Sequence, residues 1–278
     1  MRYFQAKVAE NRVLGGGYFV LRLAGCASLS AAKPGQFVMI RGAWGRDPLL
    51  PRAFSLLSVA PAAGTADVLA KTVGRGTALL ERSLPGAEVD VLGPLGTSFP
   101  MPDASCIDLL VAGGVGLPPL YMQGELAAAQ KLAGRSELVY GGRGAPDLVL
   151  LREMENMGLA LYLTTEDGSV GMKGLVTRAL EARLDTHRGK RVRVMGCGPN
   201  AMLWAVARLA REREVPCFIS LEEQMACGIG VCLGCAIPAR SRPYRYVCSN
   251  GPVFDAADVL DVNPTSSAGP PPPSECPA

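Results

Sequence analysis

Four cysteines crowd one short run, CGIGVCLGCAIPARSRPYRYVC: Cys227, Cys232, Cys235 and Cys248, spaced C-x4-C-x2-C-x12-C. Three close thiolates followed by a distant fourth are the plant-type [2Fe–2S] arrangement, whereas structural zinc sites usually present two short C-x2-C hairpins. Iron–sulfur is therefore the expected occupant and zinc the alternative. Gly228, Gly230 and Gly234 let the backbone bend tightly and turn N–H donors toward sulfur. Such a cluster passes one electron at a time and cannot accept a hydride. A second group in the chain must face any two-electron donor or acceptor.

Arg52-Ala53-Phe54-Ser55 and Gly74-Arg75-Gly76-Thr77 supply candidates, with Lys71 between them. An arginine fork suits a pyrophosphate, an aromatic can lie against a flat ring, and a glycine pair lets backbone N–H groups approach phosphate. Each alone also reads as a strand with a surface arginine, or as a turn. A third set is Gly113-Gly114-Val115-Gly116-Leu117-Pro118-Pro119, short of the full G-x-G-x-x-G fingerprint. Prolines suit the first turn of a helix, whose free N–H groups attract phosphate. Gly196-Cys197-Gly198-Pro199-Asn200 likewise ends a strand and starts a helix. Both loops should then share the carboxyl edge of one sheet, where ligands bind in such folds.

The elements that position these residues follow from periodicity. Up to residue 102, short β-rich runs (YFVLRLAG, GQFVMIRG, ADVLAKTVG, AEVDVLGP) alternate with Gly and Pro, as in a small antiparallel barrel without a long helix. Residues 103–215 alternate strand and helix (CIDLLVA, LYMQGELAAAQKLAG, ELVYGG, a helix near 147–157, LALYLTTED, GLVTRALEARL, RVRVMGCG, NAMLWAVARLAREREV), which indicates a parallel sheet flanked by helices. Residues 216–262 form the cysteine module, and 263–278 a Pro-rich tail expected to be disordered or extended, with Cys276 a thiol of no inferred role.

The 278 residues, 49% hydrophobic, suffice for two domains and an appendage. The charge of +3 comes from 28 basic and 25 acidic residues without a basic block, so nucleic acid is not an expected partner. No signal peptide or membrane span is evident at the N-terminus or in CIDLLVAGGVGLPPLYM, so a cytoplasmic setting is expected. There thiols stay reduced, and nine cysteines do not argue for disulfides. Cys26, Cys106 and Cys217 read as small buried hydrophobes. His187, the only histidine, reads as a surface loop residue. Glu166 and Asp167 follow a strand and would repel a ribose 2′-phosphate, favouring NAD over NADP; the plain alternative is a solvated acidic turn.

Together, R-x-F-S (Arg52–Ser55), G-x-G-T (Gly74–Thr77) and C-G-P (Cys197–Pro199) resemble the ferredoxin-NADP reductase superfamily, in which a flavin-binding barrel precedes a nicotinamide-binding domain. LEEQMACGIGVCLGC, VCSNGPVFDAADV and TTEDGSVGMKGLVT are more narrowly similar to the electron-transfer subunits of type B dihydroorotate dehydrogenase, which serve pyrimidine biosynthesis. That resemblance implies FAD, one [2Fe–2S] cluster, NAD as substrate, and an FMN-containing catalytic partner, in a heterotetramer of two copies each. It implies Arg52, Gly76 and Thr77 at the FAD phosphates, Phe54 and Ser55 at the isoalloxazine, and Ala53 where the family often has proline. It also implies Gly113, Gly114 and Gly116 under the NAD phosphates and Cys197 near the nicotinamide, with Gly198 and Pro199 among the cofactor-binding residues. A flavin and iron–sulfur subunit of a hydrogenase, sulfide dehydrogenase or ferredoxin-NADP reductase complex is the alternative within the superfamily. A zinc-stabilised nucleotide sensor is the alternative outside it.

Overall fold

The computed structural model describes residues 1–259, so the Pro-rich tail and Cys276 lie outside the described residues. The first six strands are β1 (Arg2–Gly15), β2 (Tyr18–Ala24), β3 (Phe37–Gly42), β4 (Arg52–Ala60), β5 (Thr65–Lys71) and β6 (Glu88–Leu95). They close an antiparallel barrel in the order β1-β2-β5-β4-β3-β6. β6 alternates inward and outward along its length, the period of a strand with one face on a core. Phe19, Leu21, Val38, Ile40, Leu56, Val68 and Val91 fill the barrel. The G-R-G-T segment is not a turn: Arg75–Glu81 forms helix α1, and the Thr77 hydroxyl accepts the Val73 and Gly74 N–H groups at its start.

β7 (Ile107–Gly113), β8 (Ser136–Gly142), β9 (Ala160–Thr165), β10 (Met172–Lys173), β11 (Val192–Cys197) and β12 (Cys217–Ser220) form a parallel sheet ordered β10-β9-β8-β7-β11-β12. The helices between them are α2 (Pro118–Ala129), α3 (Leu151–Asn156), α4 (Val176–Thr186) and α5 (Asn200–Glu212). β7 is buried along nearly all its length because both faces of the sheet are covered. Leu109, Val111 and Val194 pack with Leu180 of α4 and Leu203 of α5, while Leu110, Ala112 and Leu138 pack with Leu120 of α2 and Met154 of α3. α4 buries Val176, Ala179, Leu180 and Leu184, one helical face. A hairpin of β13 (Ala236–Pro238) and β14 (Tyr244–Tyr246), the short α6 (Val247–Asn250) and β15 (Val253–Asp255) complete the described chain. β15 joins the sheet antiparallel to β12. The division expected at residue 216 therefore differs from the sheet: β12 and β15 both belong to it, and the cysteine loop is inserted between two of its strands. Among the described residues no helix is long and apolar enough to cross a membrane.

Cys26, Cys106 and Cys217 are buried, as expected. His187 is not a surface residue. It is 8% exposed, with Nε2 2.9 Å from Glu137 Oε1 and 3.2 Å from Arg183 Nη2. The cause is tertiary: α4 packs over β8, which carries Glu137, and the loop after α4 must fold onto that carboxylate. Burial pushes the Glu137 pKa up, but the hydrogen bonds and charges of Arg183 and His187 outweigh it and hold the carboxyl below its usual range. A depressed carboxylate stabilises the fold above its unfolded pKa of about 4.3, and that contribution disappears as pH falls through the folded value. Glu137→Gln should therefore destabilise the protein by about 3 kcal/mol at pH 7. The gap in thermal midpoint between variant and wild type should narrow as pH drops below about 4.

Candidate functional site

A cleft of about 290 Å³ opens where barrel, sheet and cysteine module meet. Its barrel wall is Arg52, Ala53, Phe54 and Ser55 at the start of β4, with Lys71 and Thr77 beside them. The R-x-F-S tetrapeptide runs as regular strand: Ala53 pairs with Met39 and Ser55 with Phe37, so the alanine in place of proline leaves the ladder intact. The guanidinium of Arg52 folds over Gly76, where a Cβ would lie 2.9 Å from Arg52 Nε. A larger residue would push that guanidinium aside, and the two halves of the expected phosphate site are thereby brought into contact. The space suits a flat ring system, with phosphates left to the Arg52–Gly76 edge.

The sheet side contributes Val115 from the loop between β7 and α2, and Pro118, the first residue of α2. That loop and the one after β11 do share the carboxyl edge, and they touch backbone to backbone. A Cβ on Gly116 would collide with the Cys197 carbonyl, and one on Gly198, whose φ is +154, would lie 3.0 Å from Gly113 Cα. Gly114 has φ +50. These glycines thus first satisfy loop packing, and the N–H groups so clustered are what a dinucleotide phosphate would meet. Pro199 stands immediately before α5. Cys197 is 1% exposed and does not line the cleft; desolvation, then the nearby Glu222, push its thiol pKa far up. A neutral, covered thiol is not a nucleophile.

Glu222 is the carboxylate with a shifted pKa among the wall residues that sequence reasoning passed over, which also include Phe37, Glu223 and Met225. It sits just past β12 and lines the cleft, and desolvation by the protein around it raises its pKa. The signal was a carboxylate directly after an apolar strand, on the approach to the first cluster cysteine. In the loop after β9, Asp167 Oδ1 accepts the Ser169 hydroxyl at 2.7 Å and the Ser169 N–H at 2.8 Å, and these bonds lower its pKa. Its other oxygen faces Gly144 in the loop after β8.

Beyond Glu222 the cysteine loop wraps against the barrel. A Cβ on Gly228, whose φ is +72, would lie 2.7 Å from Met39 Cγ on β3, so glycine is what permits the close approach. Cys235 and Cys248 are buried with their sulfurs 3.3 Å apart, Cys227 is half-buried and Cys232 exposed. The Ile229 and Cys232 N–H groups donate to Cys227 Sγ, each at 3.4 Å, and Gly230 N–H donates to Cys248 Sγ at 3.1 Å. Burial opposes ionisation of Cys227, but the Cys232 and Ile229 N–H donors outweigh it and lower its pKa to about 6, whereas burial and the neighbouring Cys235 push the Cys248 thiol up to about 12. Amides aimed at sulfur are what a thiolate-held cluster needs.

Comparison with known proteins fits this layout. The family described as the iron-sulfur cluster binding domain of dihydroorotate dehydrogenase B matches residues 222–260, and the oxidoreductase NAD-binding domain matches residues 110–208. The dihydroorotate dehydrogenase B (NAD(+)) electron transfer subunit of Geobacillus thermodenitrificans is 40% identical over 91% of this chain and 96% of its own. That of Geobacillus kaustophilus is 38% identical over the same shares. Among solved structures, one of an NADH-dependent reduced ferredoxin-NADP oxidoreductase superposes with TM-score 0.79 at 28% identity, covering 92% of this chain and 89% of that one. A ferredoxin reductase of carbazole 1,9a-dioxygenase, at TM-score 0.66 and 24% identity over 77% of this chain and 67% of its own, shares the fold.

The glycine contacts generate a test. Gly116→Ala should lower stability by about 2 kcal/mol, because the Cys197 carbonyl cannot retreat without moving β11. Thermal unfolding should show a fall of several degrees, while Gly134→Ala, whose Cβ meets nothing within 4 Å, should not.

Proposed function

Because the chain belongs to the family of dihydroorotate dehydrogenase B electron-transfer subunits, we propose that its three sites form one route from a catalytic partner to NAD. The chain is an oxidoreductase subunit that carries FAD and an iron–sulfur cluster and uses NAD. When bound, the cluster supplies one-electron chemistry and FAD the exchange between single electrons and a hydride. One observation carries the route: the same cleft is walled by Ser55 of the barrel, Val115 of the dinucleotide loop, and Glu222 and Met225, which lead directly into Cys227.

The chain's residues bind and orient. Cys227, Cys232, Cys235 and Cys248 ligate the cluster. Arg52, with Gly74, Gly76 and Thr77, holds the FAD pyrophosphate, while Ala53, Phe54, Ser55 and Lys71 line the ring. Gly113, Gly114, Gly116, Gly198 and Pro199 form the NAD phosphate cradle, and Cys197 supports it from behind as a neutral thiol. Dihydroorotate oxidation needs a base at its ring carbon, and that chemistry falls to the partner, which in this reading carries FMN in a heterotetramer of two copies of each chain. Ile229, Val231 and Leu233, 42%, 74% and 52% exposed around the outermost cysteine, favour docking of that partner over the cluster. The thiol-rich composition supports a cytoplasmic setting.

Co-expression with a dihydroorotate dehydrogenase catalytic subunit tests the reading. Co-purification with FAD, FMN and iron, and dihydroorotate-dependent NAD reduction, are expected; FAD and iron without that activity would shift the assignment to another partner. Cys232→Ser should abolish dihydroorotate-dependent NAD reduction while FAD stays bound. Asp167→Lys should move preference toward NADP by about tenfold in kcat/KM, or ~1.4 kcal/mol, and an unchanged ratio would remove Asp167 from nucleotide selection.

A further inference from the structure

Tyr18 and Lys71 are cross-strand partners on β2 and β5, at the end of the barrel nearest the sheet. Between them and the sheet stands Asp147, in the loop after β8. Its Oδ1 accepts Lys71 Nζ at 2.7 Å and the Tyr18 hydroxyl at 3.0 Å, and its Oδ2 accepts the Arg143 N–H at 3.1 Å. The Lys71 ammonium also lies 4.5 Å from the centre of the Tyr18 ring. On the other side, the Tyr140 hydroxyl lies 2.9 Å from the Asp147 carbonyl and 3.1 Å from the Gly114 carbonyl. Tyr18 and Tyr140 are 1% and 0% exposed, so neither can turn away. The loop carrying Asp147 reaches the barrel because Gly16 has no side chain: a Cβ there would be 2.9 Å from the Pro146 oxygen.

Lys71 lines the cleft and Gly114 belongs to the dinucleotide loop, so one residue ties both cofactor sites together across the barrel–sheet boundary. We infer that Asp147 is a positioning residue for hydride transfer, fixing the flavin-bearing barrel against the nicotinamide-bearing loop through Lys71, Tyr18 and Tyr140. The inference rests on the function proposed above. The step it serves moves two electrons and one proton as hydride between flavin and nicotinamide, oxidising one and reducing the other. Asp147 neither gives nor takes that proton; it sets the separation. Reacting atoms must approach to about 3–3.5 Å, and a displacement of about 1 Å costs about a hundredfold in rate.

The experiment uses the FAD- and cluster-loaded chain, mixed anaerobically with NADH in a stopped-flow instrument, reading flavin bleaching and the long-wavelength charge-transfer band. Asp147→Asn should lower the limiting reduction rate by about threefold or more and weaken that band, with the apparent Kd for NADH little changed and FAD and iron content retained. Asp147→Glu should restore part of the rate. Tyr18→Phe, which removes one hydroxyl from the network, should give a smaller loss in the same direction. It carries the test if Asp147→Asn does not retain FAD, and an unchanged rate in it would then overturn the inference. A limiting rate within about threefold of wild type in FAD-loaded Asp147→Asn, whatever its thermal stability, would overturn it directly. Failure of NADH to reduce the wild-type flavin would instead overturn the proposed function.

Discussion

The packing of β3 between the cleft and the cysteine loop is the constraint on which the rest of the molecule depends. Phe37 and Met39 project from the same face of that strand, both almost wholly buried. Phe37 reaches the cleft, and Met39 meets Gly228 in the cysteine loop. With Leu95 they share one apolar cluster with Cys235, Cys248, Val247 and Phe254, and with the sheet residues Leu109, Val194 and Ile219. Beside the cleft, one apolar core runs continuously through barrel, sheet and cysteine module and holds the three together. Each large side chain buried there contributes about 1.5–3 kcal/mol, and the same contacts that stabilise the fold fix the spacing of the sites.

The sheet is held to the same standard by backbone contact. Gly113, Gly116 and Gly198 let two strand-to-helix loops press together, a fit that side chains would block. The cost is conformational freedom in the unfolded chain, offset by the packing of α2 and α5 behind the loops. Cys197 lies under this contact as a desolvated thiol.

What could be read from sequence was local. The four cysteines and their glycines announce a cluster because ligation needs short spacing, and R-x-F-S and G-x-G-T stand out because each works within one turn or strand. The barrel and the alternating strands followed from period and punctuation. The residues missed are those whose partners lie far along the chain. Asp147 meets Tyr18 from 129 residues away, and nothing in GRGAPDL announces it. His187 was misplaced for the same reason: Glu137 lies 50 residues earlier and becomes its neighbour only when α4 covers β8. The insertion of the cysteine loop between β12 and β15 was likewise hidden, since a three-residue antiparallel edge strand carries no periodic signal.

The cysteine loop has an inner and an outer face. Cys235 and Cys248 are buried against the shared core, close to Met39 and through β3 to the cleft. Cys232 is exposed and flanked by Val231 and Leu233, apolar side chains that cost free energy in water unless another surface covers them. The inner pair sits in the shared apolar core, and the outer edge where the chain can be approached. Backbone amides supplied by Ile229, Gly230 and Cys232 offset the negative charge of the thiolates without adding a side chain. The small residues of CGIGVCLGC therefore serve one geometric end, close approach of the loop to β3 with its backbone amides turned toward sulfur.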